Sequence, residues 1–195
     1  EFATVQSVAK NFISTMYTAT GGDENNGAGN GGNSGLNDNF SLYSKTPIDL
    51  SLAVSIDGVR YYLTQEQYQK ANLSKAVIEG LTIVTGTTSF ILAMEYEPAD
   101  DMYQENAISY YGSNLPSKNQ SEIISARWSY INSAIVAFGG TKMGSSFWTG
   151  YRLSSGSFPC YYTGSYGGSI ESTSSNNRCA VRLVKSCDSQ AAIVW

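Results

Sequence analysis

The sequence contains no histidine among its 195 residues. Histidine is the usual general base, the usual partner of serine and cysteine nucleophiles, and the commonest metal ligand. Its absence therefore excludes Ser-His and Cys-His catalysis and any site that depends on an imidazole. Chemistry by carboxylate, lysine, tyrosine or cysteine side chains stays open.

Charged residues are also scarce. They make up 14% of the chain, against 42% hydrophobic residues, and the formal net charge is -4. Binding to nucleic acid depends on clustered lysine and arginine, and no such cluster occurs, so we expect no nucleic-acid partner. A polar but weakly charged composition is typical of secreted and surface-displayed proteins. We therefore expect an extracellular, cell-surface or virion-tail location.

Long apolar runs are missing as well. No stretch approaches the roughly 20 apolar residues that span a bilayer, so we expect no direct membrane insertion by this chain. The sequence begins at Glu1 rather than at a methionine. This start is compatible with earlier removal of a signal peptide or anchor.

Cysteine is limited to three residues near the C-terminal end, Cys160, Cys179 and Cys187. They show no C-x-x-C spacing, which argues against a metal site or a thioredoxin-like motif, and we expect no metal and no cofactor. One disulfide with one free thiol is compatible with this number. Three separate, buried thiols are equally compatible, so the pairing stays open.

Residues 1–45 differ in composition and hydrophobic pattern from the rest of the chain. Val5, Val8, Phe12 and Met16 share one helical stripe, which predicts a short amphipathic helix over residues 4–19. Residues 21–39 are almost entirely Gly, Asn, Asp and Ser, a composition that cannot bury enough apolar area to offset its entropy. We therefore expect an N-terminal helix and flexible segment over 1–45, followed by one ligand-binding domain over 46–195.

Two β-hairpins are predicted in the first half of that domain. In the first, apolar residues alternate over 50–56, Asp57-Gly58 is a tight-turn signal, and the returning strand covers 59–63. The second hairpin has arms at 81–84 and 90–94 around a turn at Gly86-Thr87. Between them, Thr64 and Gln67 form a capping-box pattern that predicts a short helix from Gln65.

One long helix is predicted from about residue 121 to residue 138. Its apolar stripe consists of Ile124, Trp128, Ile131, Ile135 and Phe138. The Ser117 and Gln120 pair is a capping box upstream, and Gly139-Gly140 closes the helix. We expect Trp128 in the core. Residues 141–178 have no helical period and predict only short strands joined by turns, so the fold class is α+β.

The order of several short motifs resembles the C-type-lectin-like domains of bacterial surface proteins. Leu115-Pro116-Ser117 precedes the long helix, Phe147-Trp148-Thr149-Gly150 follows the glycine turn, and Val181-Arg182-Leu183-Val184 comes near the end. The resemblance covers residues from about 100 to 184. It implies a C-type-lectin-like fold with two helices, short antiparallel strands and long loops. It also implies an adhesin or receptor-binding role without catalysis.

Residues 151–178 are rich in Tyr, Ser, Gly and Asn, a composition that is similar to that of the variable proteins of diversity-generating retroelements. That resemblance implies a hypervariable binding surface. An ordinary low-charge adhesin surface has the same composition, so both alternatives stay open.

The sequence departs from two other members of the same fold group. Sugar-binding lectins hold calcium through a Glu-Pro-Asn or Gln-Pro-Asp loop and a Trp-Asn-Asp strand, whereas here Glu97-Pro98-Ala99-Asp100 lies before the long helix. Calcium needs six to eight converging oxygen atoms, so we expect no calcium site. The surroundings of Cys160 and Cys179 do not match the cysteine pair of formylglycine-generating enzymes.

Tyrosine supplies rigid amphipathic contact area, and Ser, Gly and Asn supply adaptable hydrogen bonds. On this ground we expect the ligand, a protein or glycan on a host or neighbouring cell, to contact the C-terminal surface. Since only alternate strand positions face one way, at most about half of the candidates should be correct. The candidates are Tyr151, Arg152, Phe158, Tyr161, Tyr162, Tyr166, Glu171, Asn176 and Asn177.

Other residues of this region have expected structural roles. Trp148, Val181 and Leu183 should form core beneath the surface, and Arg182 should make an ion pair or backbone bonds. The alternative function is a carboxylate-dependent glycan-processing enzyme. Its candidate side chains are Glu95, Glu97, Asp100 and Asp101.

Overall fold

The computed structural model describes residues 36–86, 88–144, 146–153, 158–164 and 168–187, with only the backbone at 98–100 and 158–159. The described chain is α+β, as predicted. Its helices are α1 Phe40–Lys45, α2 Gln65–Lys70, α3 Gln104–Tyr111, α4 Lys118–Ala126 and α5 Trp128–Ala137, with a 3-10 turn at Gly112–Asn114. The predicted helix at 4–19 and most of the predicted flexible segment lie outside the described residues.

The described strands form two five-stranded sheets. The first has the order β10-β4-β3-β1-β2 and the second has the order β5-β9-β6-β7-β8. All pairs are antiparallel except β6 with β9, which is parallel. The strands are β1 Asp49–Ile56, β2 Val59–Leu63, β3 Val77–Thr85, β4 Thr88–Leu92, β5 Glu97–Met102, β6 Ser146–Leu153, β7 Phe158–Thr163, β8 Ser169–Ser172, β9 Cys179–Val181 and β10 Val184–Ser186.

Both predicted hairpins are confirmed. In the first, Ile56 pairs with Val59 across a two-residue turn in which Asp57 and Gly58 have φ values of 51° and 81°. The two-residue turn that matches the twist of the strands requires two successive positive φ values. Asp-Gly adopts them at low steric cost. The second hairpin joins β3 to β4 with Thr85 opposite Thr88.

The predicted helix caps are also confirmed. Thr64 with Gln67, and Ser117 with Gln120, form complete capping boxes at the starts of α2 and α4. At the end of α5, the Gly140 N–H donates to Ile135 O and the Gly139 N–H to Val136 O. These two bonds, with Gly139 at φ 82°, form a Schellman motif.

The prediction of one continuous helix over 121–138 is wrong, because the helix is interrupted at Arg127. This residue has φ -121° and ψ 23°, so α4 ends before it and α5 begins after it. Its guanidinium donates to Tyr43 O at 2.9 Å and Thr46 O at 2.6 Å, at the C-terminal end of α1. Arg127 thus supplies partners to carbonyl groups that a helix end leaves unsatisfied.

The main core lies between the two sheets. Leu52, Leu81 and Leu92 reach it from the first sheet, and Ile124 and Ile135 reach it from α4 and α5. Trp128 packs against this core but is only partly buried. The segment just before α1 also joins it, since Leu36 has no exposed surface.

A smaller core covers the opposite face of the second sheet. Trp148, Cys179 and Val181 are buried there against Ala107 of α3 and against Leu115. Trp148 and Val181 are thus buried core residues, as predicted, and Leu183 packs against them half-buried. None of the described helices is both long and apolar enough to span a membrane.

Arg182 lies at the junction between β9 of the second sheet and β10 of the first, with no exposed surface. Its guanidinium donates to Ala93 O at 3.1 Å, Met94 O at 3.2 Å and Thr141 O at 2.7 Å. The predicted backbone-bonding role is confirmed. The strands on either side of Arg182 are therefore held to the loops that follow β4 and α5.

Candidate functional site

The outer face of the second sheet carries a row of three side chains on adjacent strands. Trp148 of β6 pairs with Tyr161 of β7, and Tyr161 pairs with Glu171 of β8. The neighbouring row, Phe147, Tyr162 and Ile170, points into the main core. The separation follows from the two-residue period of a strand.

The row is fixed from beneath and from the side. The Trp148 indole N–H donates to Met102 O at 2.5 Å, and the Tyr161 ring meets the indole edge-on with centroids 6.3 Å apart. The Tyr161 hydroxyl donates to Glu171 Oε2 at 2.8 Å, and Ser169 Oγ donates to Glu171 Oε1 at 3.0 Å. Tyr161, Ser169 and Glu171 are half-buried, so each keeps surface for a ligand. We refer to these three residues as the Tyr161 surface.

Burial raises the pKa of Tyr161 to about 12, and the hydrogen bond to Glu171 acts in the same direction. Both causes favour the neutral phenol, because a phenolate would lose water and face a carboxylate. Tyr161 therefore remains a hydrogen-bond donor at physiological pH. Its donated proton holds the carboxylate of Glu171 in one orientation.

The assignment of Tyr162 to the ligand surface is wrong. Its side chain is fully buried and stacks on Phe147 with centroids 5.7 Å apart. Burial also raises its pKa. The cause is the alternation along β7, which sends Tyr162 inward when Tyr161 faces outward.

Tyr151 and Arg152 lie at the far end of β6, after an irregularity in its pairing with β7 between Trp148 and Arg152. The Thr149 hydroxyl donates to Tyr151 O and Cys160 O, both at 3.1 Å, and accepts from the Tyr151 N–H at 3.0 Å. Gly150 N–H donates to Pro116 O at 2.8 Å. These bonds fix the bulge that positions both candidates.

Gln104, at the start of α3, is a further organiser of this bulge that sequence reasoning missed. It is 1% exposed, and its Nε2 donates to Thr149 O at 2.8 Å, Tyr151 O at 3.0 Å and Cys160 O at 3.2 Å. Its Oε1 accepts from Arg152 Nε at 2.8 Å. No periodic pattern marks a buried glutamine, so the sequence offered no signal for it.

The remaining candidates fall elsewhere. Asn176 and Asn177 are exposed in the loop between β8 and β9, next to Arg178, whose guanidinium lies 4.5 Å from the Tyr103 ring centroid. The backbone of Phe158 pairs with Leu153, but its side chain and all of Tyr166 lie outside the described residues. The structure therefore brings together Tyr161 and Glu171, and separately Tyr151 and Arg152.

The three cysteines form no disulfide. Cys160 and Cys179 are buried, and burial raises the pKa of both thiols. A raised pKa disfavours the thiolate, which is the nucleophilic form. Cys187 is half-buried, with its Sγ 3.3 Å from the Tyr62 hydroxyl.

The carboxylates of the alternative enzymatic function are on or next to β5. Glu95 accepts hydrogen bonds from the N–H and hydroxyl of Thr141, which ties it to the loop after α5. Glu97 and Asp101 are exposed, and the Asp100 side chain is not described. Within the described ranges, no group of three or more Cys, Asp and Glu side chains is arranged to hold a metal ion.

A polar cleft of about 400 Å³ lies beside β10, and none of the described candidates lines it. Its lining includes Ser89, Asn114, Gln120, Lys185 and Cys187.

No protein-family model matches this chain. No curated protein and no solved structure matches it significantly either.

Proposed function

We propose that this chain is an extracytoplasmic ligand-binding module, an adhesin or receptor-binding domain with a C-type-lectin-like fold. The module is secreted, or is displayed at a cell surface or on a virion tail. Its ligand is a protein or glycan on a host or neighbouring cell. The positions of the motifs support the proposal. Leu115-Pro116-Ser117 leads into α4, Gly139-Gly140 ends α5, and Phe147-Trp148 lies in β6.

The observation that carries the proposal is the Tyr161 surface. A half-buried tyrosine rests edge-on against a buried tryptophan and holds a glutamate in one orientation. Side chains fixed in this way lose little entropy when a ligand binds, and tyrosine is enriched among residues that dominate binding energy. A rigid strand scaffold adds to this preorganisation.

Diversification of residues 151–178 belongs to the same proposal. Tyr161, Asn176 and Asn177 carry polar or aromatic groups toward solvent, whereas Tyr162 within this stretch, and Trp148 and Arg182 outside it, are buried and structural. A variable surface over a fixed core requires this separation. A reverse-transcriptase gene and a template repeat beside the gene would support it.

The test is binding of the purified chain to protein and glycan arrays, followed by affinity measurement for each captured ligand. Truncation Tyr161→Ala should weaken binding by about 30-fold or more, the effect of a hot-spot residue of about 2 kcal/mol. Val136→Ala is the matched control, because Val136 is 51% exposed on α5, outside the Tyr161 surface. Equal losses in both variants, or no captured ligand on either array, would contradict the proposal.

A further inference from the structure

Glu171 is a half-buried carboxylate whose two oxygens are both held by neutral donors. Tyr161 donates to Oε2 and Ser169 donates to Oε1. These hydroxyl groups orient the carboxylate and replace part of its lost hydration, but they do not cancel its charge. The local environment is therefore negative as well as rigid.

The described part of the chain gives Glu171 no ion pair. Other carboxylates do have one. Glu79 receives two bonds from Arg60, at 2.9 Å and 2.6 Å, and Asp38 pairs with Lys118 at 3.3 Å. Arg178, which follows β8, lies instead over the Tyr103 ring. A half-buried charge without an opposite charge favours the approach of an external cation.

The Tyr161 hydroxyl orients the carboxylate that such a cation would contact. Because the phenol is bonded to Glu171 Oε2 at 2.8 Å, a cation on this carboxylate lies at the hydroxyl edge of the Tyr161 ring and not over its face. The carboxylate therefore selects for positive charge, and Tyr161 keeps that carboxylate in one orientation.

We propose that Glu171 and Tyr161 form the receptor for a lysine or arginine side chain of a protein ligand. This inference rests on the proposed function and names the ligand chemistry of the same surface. A protein ligand is favoured over an amino sugar because the pair lies beside Ser169 on a strand face, and tyrosine together with serine is typical of surfaces that recognise proteins. A flexible basic side chain from a facing protein reaches such a face without a deep pocket.

The experiment titrates the full chain with four small probes and follows the Glu171 side-chain carboxyl ¹³C shift by NMR. The probes are Nα-acetyl-lysine amide, Nα-acetyl-arginine amide, the uncharged isostere Nα-acetyl-norleucine amide, and glucosamine. The lysine or arginine probe should shift the Glu171 signal with an affinity at least tenfold above that of norleucine. Added salt should weaken this binding.

Glu171→Gln is the decisive variant, because its amide oxygen still accepts from Tyr161 while the charge is lost. The amide NH2 then faces Ser169, whose hydroxyl can turn and accept from it. Followed through the Tyr161 and Ser169 amide signals, its affinity for the basic probes should fall at least tenfold with an unchanged melting temperature. Equal binding of norleucine, unchanged binding by Glu171→Gln, or a response to glucosamine alone would overturn the inference. The inference would also be overturned if a protein ligand from the arrays bound Tyr161→Ala more weakly than the wild-type chain but bound Glu171→Gln equally well. The proposed function would then still stand.

Discussion

Because the Tyr161 hydroxyl keeps its proton in the folded state, the free energy of unfolding depends on pH in the alkaline range. The pKa of Tyr161 is raised to about 12 in the fold, whereas a tyrosine in an unfolded chain titrates near 10. Between these values the unfolded state has released the proton and the folded state has kept it. The unfolded state then binds fewer protons, so stability falls as pH rises through this window.

We predict that Tyr161→Phe reduces the loss of stability between pH 10 and pH 12. The variant has no phenol to ionise at this position, so its unfolding free energy should decline less steeply than that of the wild-type chain. Urea unfolding at pH 8, 10, 11 and 12 measures both curves. Tyr62, whose pKa is also raised to about 12, is present in both proteins and contributes equally.

The value at pH 8 provides the internal control for this comparison. Loss of the hydrogen bond to Glu171 should cost about 0.5–1.5 kcal/mol there. If the two curves stay parallel up to pH 12, the Tyr161 proton is not held more tightly in the fold. The geometry of the Tyr161 surface would then have to be revised.

At the scale of elements, two glycines between β7 and β8 pack closely on α4 and α5. A Cβ atom at Gly164 would lie 2.2 Å from Trp128 Nε1, and one at Gly168 would lie 2.1 Å from Ser125 O. Contacts this short leave no room for a side chain at either position. Gly164 and Gly168 therefore lie directly against the helices because they have no side chain.

We predict that Gly168→Ala destabilises the domain by at least about 2 kcal/mol. The new methyl group would meet a backbone carbonyl, and the φ of 94° is itself unfavourable for alanine. Gly144→Ala is the matched control, because a Cβ there meets nothing within 4 Å, and it should change stability by less than about 0.5 kcal/mol. Equal urea midpoints for the two variants would mean that Gly168 does not pack against α4 as described.

Elements governed by local rules could be predicted from the sequence, and elements governed by distant contacts could not. The Asp57-Gly58 turn and the Ser117 capping box depend on neighbouring residues and were predicted correctly. The break at Arg127 depends on carbonyl groups of α1 that lie about 80 residues earlier in the chain. No glycine or proline marks it, so an apolar stripe alone favoured one helix.

The candidate site shows the same division. A Tyr- and Ser-rich composition indicated the region, and Tyr161 and Glu171 do lie side by side. The inward direction of Tyr162 was not predicted because the phase of alternation along β7 depends on its pairing with β6. Gln104 acts through three carbonyls that are more than 40 residues away, which no local pattern encodes.

At the scale of the whole molecule, the two sheets are joined where β9 of the second sheet passes into β10 of the first. Arg182 at this junction donates to two carbonyls after β4 and to one after α5. Phe147 lies beside its guanidinium, with 5.5 Å between the guanidinium carbon and the ring centroid. One side chain therefore connects both sheets with the loop that follows α5.

We predict that Arg182→Lys lowers the unfolding free energy by at least about 2 kcal/mol. Lysine keeps the charge but lacks the planar fork that reaches several carbonyls at once, and each buried carbonyl left without a donor costs about 1–3 kcal/mol. Arg178→Lys, at an exposed position four residues earlier, is the matched control and should stay within about 1 kcal/mol of the wild-type chain. Urea unfolding followed by tryptophan fluorescence, which reports Trp128, Trp148 and Trp195 together, and by far-UV circular dichroism should give one shared midpoint that shifts only in Arg182→Lys. If both variants match the wild-type chain, Arg182 does not hold the sheets together. If the two signals separate, the two sheets do not unfold as a single cooperative unit.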